Sequence, residues 1–66
     1  MTINSFYKGQ KLLYHCPGVT HEGVVNFVDT IGGTYFTLTV GLANLVVYPT
    51  WWNRIEFIDK PPCDSL

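Results

Sequence analysis

A chain of 66 residues has room for one domain and one core, because a domain this short buries only about 60 % of its unfolded surface; a large pocketed enzyme is disfavoured. With 47 % hydrophobic and 14 % charged residues the composition lies far from that of disordered chains, so the chain is expected to fold. Four Lys and Arg stand against five Asp and Glu, net charge -1, which leaves no cationic field to release counterions from a nucleic-acid backbone and disfavours nucleic acid as a partner.

The opening Met1-Thr2-Ile3-Asn4-Ser5 carries no positive charge, and no apolar run approaches the ~20 residues that span a bilayer. A cytoplasmic protein without a membrane partner is the resulting expectation. These first residues are expected to be loose, with Ile3, Phe6 and Tyr7 placed to cap one end of a barrel. A first strand is predicted over residues 10–15, with Leu12 and Tyr14 on one face and Lys11, Leu13 and His15 on the other. Cys16-Pro17-Gly18 ends it, since proline cannot donate to a ladder and glycine turns the chain.

The second strand is predicted over residues 21–29, rich in Val and Phe. Its alternation breaks: for Val25 and Val28 both to face inward, a bulge near Asn26 must shift the register. Gly23 then sits where the backbone passes close to a neighbour. Thr30-Ile31-Gly32-Gly33 reads as a hairpin loop. Residues 34–40 form the cleanest strand, with Phe36, Leu38 and Val40 inside and Tyr35, Thr37 and Thr39 outside. Gly41-Leu42-Ala43-Asn44 turns again, residues 45–48 make a fourth strand, and residues 54–58 a fifth with Ile55 and Phe57 inward. Five short strands on short loops fold most economically into a bent sheet closed on itself, which also hides its edges. The domain is expected over residues 1–59, followed by a Pro-rich mobile tail over residues 60–66.

The second half resembles an SH3 domain: a fourth strand ends in Pro49, a single 3-10 turn carries Trp52 three residues on, and a short final strand follows. Leu13-Tyr14 is similar to the opening run of SH3 domains, with His15 and Cys16 replacing its Asp and second Tyr. The first loop is short where an SH3 domain has a long acidic one, and Trp51-Trp52 lies in the late turn, so the proline-peptide groove is not built from the same parts. Gly23, Val25 and Val28 look more like KOW- or Tudor-type small barrels. The resemblance spans residues 8–59 and implies an all-β, five-stranded SH3-like small barrel with a short 3-10 turn before the last strand. It implies no particular function.

His15, Cys16, His21 and Cys63 offer metal-binding atoms without the paired spacing of zinc knuckles, so no metal and no cofactor is expected. A disulfide between Cys16 and Cys63 is disfavoured in a reducing compartment. Cys16 beside His15 points to the opposite face and lacks an orienting third group, so no catalytic residue is assigned and the protein is expected not to be an enzyme. Adjacent indoles in one turn do not both fit a small core. Trp52 is expected on the surface and Trp51 sealing the barrel end. Tyr48, Trp51, Trp52 and Tyr35, with Tyr14 beside them, form the expected partner-binding patch.

The function expected from that patch is non-enzymatic protein binding, as a small accessory subunit or a bacterial or phage-encoded regulator of a larger protein, or through self-association. Two alternatives use the same surface differently: stacking of single-stranded nucleic acid on a KOW- or Tudor-like face, and a small-ligand pocket built at an oligomer interface, since one barrel this small does not enclose the ~300 Å³ of a ligand site.

Overall fold

The computed structural model describes residues 2–61, and the expectations on Cys63 and most of the tail lie outside them. The chain forms five antiparallel strands in one open sheet: β1 (Lys11–Cys16), β2 (Val19–Val28), β3 (Phe36–Val40), β4 (Ala43–Val47) and β5 (Ile55–Phe57), in the order β4-β3-β2-β1-β5. Two 3-10 helices, Ile3–Ser5 and Pro49–Arg54, complete it. No helix among the described residues is long and apolar enough to cross a membrane.

β1 and β2 join through the tight turn at Pro17-Gly18, where Gly18 takes φ 81, a left-handed value that a side chain resists. The ten-residue β2 serves two neighbours in succession. Its first part pairs with β1, from Cys16↔Val19 to Lys11↔Val24, and its second with β3, from Val24↔Thr39 to Val28↔Phe36. The expected bulge is present, with the register shifting between Val25 and Phe27. Gly23 stands just before this handover, and a Cβ there would lie 2.7 Å from Leu38 Cγ and 2.8 Å from the Thr39 carbonyl oxygen. The close approach expected at Gly23 is thus met by the facing strand.

The two half-sheets, β5-β1-β2 and β2-β3-β4, share one core. Leu12 and Tyr14 come from β1, Val25 from β2, Phe36 and Leu38 from β3 and Val47 from β4. Each such side chain, fully buried, stabilises the fold by about 1.5–3 kcal/mol. Phe6 and Trp52 complete the cluster. Phe6 stacks on Phe36 at 4.1 Å between ring centroids and lies 5.1 Å from Trp52 and 5.8 Å from Phe57. The N-terminal segment is therefore part of the fold, not loose: it turns at Ile3–Ser5 and drives Phe6 inward, while Tyr7 stays exposed.

Closure of the sheet, expected from strand number, is not observed: β4 and β5 are edge strands. Between them runs a side-chain path. The Trp52 indole N–H donates to the Val47 carbonyl of β4 at 3.3 Å, and Trp52 and Phe57 of β5 both meet the Phe6 ring. Aromatic packing thus links the two edges where a backbone ladder would have closed a barrel.

A buried polar residue locks the same corner. Gln10 is inaccessible to solvent, and its side chain accepts from the Tyr7 N–H at 3.2 Å and donates to the Ser5 and Asp59 carbonyls at 3.1 Å each. One amide satisfies three backbone groups and ties the N-terminal segment to the residues after β5. Asp59 reinforces the tie by accepting from the Lys11 N–H through its carboxylate at 2.9 Å.

Candidate functional site

The side of the sheet away from the core divides into two territories. Over β2, β3 and β4, alternation sends Val24, Thr37, Thr39, Asn44 and Val46 outward. The bulge adds a second outward residue to β2, so that Asn26 and Phe27 are both exposed. Backbone register aligns Val46, Thr37 and Phe27 in one row and Asn44, Thr39 and Val24 in the next. Beyond the first row, Tyr35 sits with its ring centroid 6.0 Å from Phe27 and 6.2 Å from Tyr48, at interplanar angles of 39° and 52°. Tilted pairs at such separations are favourable aromatic contacts.

The result is an apolar strip with real exposure: 51 % for Phe27 and Tyr48, 42 % for Val46 and 40 % for Val24, with Tyr35 half-buried among them. No Lys, Arg, Asp or Glu belongs to it. The Thr37 hydroxyl at its centre is buried and has no hydrogen-bond partner among the described residues. Tyr35 is held by the Asp29 N–H, which donates to its carbonyl at 3.1 Å. Asp29 itself is turned inward on its loop, its carboxylate accepting from the Gly32 N–H at 3.1 Å and the Thr34 hydroxyl at 3.0 Å.

Of the sequence-predicted site residues, Tyr35 and Tyr48 are neighbours in this strip. Trp51 is exposed three residues past Tyr48, its N–H donating to the Tyr48 carbonyl at 2.9 Å. Trp52 and Tyr14 are not on the surface. The indoles divide as expected, one in and one out, but in the reverse sense: Trp51 is 44 % exposed and Trp52 only 7 %. The 3-10 geometry after Pro49 turns Trp52 toward Phe6 and Phe36 and gives its N–H a backbone partner. Tyr14 alternates with the exposed His15 and shares the inner face with Leu12. Burial pushes its phenol above the usual range, the neighbouring Cys16 adds to the rise, and Arg54 opposes it. Phe27, Val46 and Val24 join the site unforeseen.

The remaining outer surface, over β1, β5 and the first part of β2, is polar. Leu13 is flanked by Glu22 and Glu56, and His15 faces Thr20. The His15 ring meets the Thr20 hydroxyl at 3.0 Å through Nδ1 and the Glu56 carboxylate at 2.8 Å through Nε2. A hydroxyl, an imidazole and a carboxylate in sequence have the composition of a nucleophilic relay. Here both His15 and Glu56 lie open to solvent, and no ligand-sized cavity adjoins them among the described residues. Both ring nitrogens of His15 are engaged, and no group of three or more metal-ligating side chains gathers among the described residues.

No family model, no curated protein and no solved structure matched this chain.

Proposed function

We propose that this protein is a non-enzymatic protein-binding module that docks through the strip of Phe27, Tyr35, Val46 and Tyr48, extended by Val24 and Trp51, and serves as a small accessory subunit or regulator of a larger protein. The observation that carries this reading is the uncharged aromatic row Phe27, Tyr35 and Tyr48 on an otherwise polar outer surface. Large aromatic side chains bring contact area at small entropic cost, and depletion of charge marks the centre of a protein interface. The SH3-like architecture belongs to the same proposal. Its support is the 3-10 turn Pro49–Arg54 ahead of a three-residue final strand, together with a core shared by both half-sheets.

Capture from the source cell tests the reading when the wild type is compared with two folded variants. Phe27→Ser/Tyr48→Ser removes the strip; His15→Ala/Glu56→Ala alters the polar half. The strip variant is expected to lose a captured protein that the other retains. That loss should persist as salt rises from about 50 to about 200 mM, a range over which phosphate-driven nucleic-acid binding drops by orders of magnitude. Retention by the strip variant, or loss confined to the His15 variant, sinks the proposal.

A further inference from the structure

We infer that in the isolated protein the strip is covered by a second copy of the same chain, packed face to face about a twofold axis that runs along the Phe27, Thr37 and Val46 row. This rests on the reading of the strip as a docking surface and names its first occupant. Area supports it. Aromatic side chains offer roughly 150–250 Å² each, so the open fractions of Phe27 and Tyr48 with Val24 and Val46 amount to about 300 Å². A standard interface takes about 800 Å² from each partner, about 65 % of it apolar at homodimer interfaces. The strip thus provides most of the apolar centre of such an interface, and Asn26, Thr34, Thr39 and Asn44 provide a polar rim.

Shape and charge point the same way. The strip is graded along the strands, with Tyr35 and Tyr48 at one end, the Phe27, Thr37 and Val46 row in the middle, and Asn44, Thr39 and Val24 at the other. Rotation about an axis lying in the interface along the middle row sets each bulky end against the other copy's small-residue end. Packed sheets sit about 10 Å apart with strands roughly aligned, and bulky-on-small contact fills that gap without clash. The strip itself holds no charge, with Lys11 bordering it across from Val24, and the whole chain carries only a net charge of -1, so two copies repel weakly. A larger partner then competes with the second copy for the same residues.

Sedimentation equilibrium of the full chain from about 1 to about 500 µM reads the association directly, because interfaces of this size span micromolar and tighter affinities. The wild type is expected to dimerise. Val46→Lys and Tyr48→Lys, at exposed positions that leave the core intact, should weaken dimerisation at least tenfold, whereas Glu56→Ala on the other half should leave it unchanged. Isotope-filtered NOEs between labelled and unlabelled copies should join Tyr48 to Asn44 and Tyr35 to Thr39. A dimer insensitive to both lysine variants, or joined through the free edge of β4, overturns the inference. A wild type monomeric throughout overturns it too. In that case, if Val46→Lys still abolishes capture of a different protein, the docking reading of the strip survives alone; if capture persists, both fall.

Discussion

The two halves of the outer face share one continuous backbone, through β2, and differ in how they treat their side chains. Over β5, β1 and the start of β2 the outward side chains are set among charged and hydrogen-bonded groups: His15 bridges Thr20 and Glu56, and Leu13 lies between Glu22 and Glu56. Over the rest of β2, β3 and β4 the outward residues are Val, Thr, Asn, Phe and Tyr, and a buried hydroxyl, that of Thr37, has no partner among the described residues. The inner faces of both halves contribute to a single core, so stability does not explain the contrast. A sheet that solvates one half of its outer surface and leaves the other apolar has room on that half for something besides water.

The largest effect that sharpens this comparison comes from the paired indoles. Trp52→Ala opens a cavity among Phe6, Phe36 and Val47 and is expected to cost about 3–5 kcal/mol, most of the ~3–10 kcal/mol available to a domain of this length. Trp51→Ala should fall within about 0.5 kcal/mol of wild type. Urea titration of the two variants checks both, and similar midpoints would show that the inside–outside assignment is wrong. A smaller effect tests the handover between the halves. Gly23→Ala presses a methyl group against the Leu38 side chain and the Thr39 carbonyl, and overpacking of that kind costs about 1–3 kcal/mol; an unchanged thermal midpoint would mean that β2 and β3 are not in close contact there. The smallest concerns the polar half. Removing the exposed His15–Glu56 pair by a double-mutant cycle should yield a coupling of about 0–1 kcal/mol, and a larger value would give that half a structural role the geometry does not.

Much of the scaffold was legible in the sequence because it follows from period-two alternation and from residues with few conformational choices. Leu12 and Tyr14 sharing one face, the bulge near Asn26 and the close approach at Gly23 belong to this kind, whereas the 3-10 turn begun by Pro49 came with the resemblance to SH3 domains. What alternation does not encode was missed. The choice between Trp51 and Trp52 depends on where Phe6 lies, and Phe6 reaches the core from a segment with no strand pattern. Gln10 gave no signal, because an amide that satisfies backbone groups of Ser5, Tyr7 and Asp59 acts between segments distant in sequence. Phe27 was readable in principle, because the same bulge that brings Val28 inward leaves Phe27 outward. The open sheet shows the limit of counting strands, since side chains rather than a ladder bridge the edges.

The central claim is that this protein meets other protein through the apolar half of its outer face. Its most direct test is a chemical-shift map of the isotope-labelled chain as a protein partner, an unlabelled copy or a captured larger one, is added. The account predicts changes concentrated at Val24, Phe27, Tyr35, Val46 and Tyr48, with His15, Thr20, Glu22 and Glu56 unmoved. Changes centred on those four polar residues instead would contradict it.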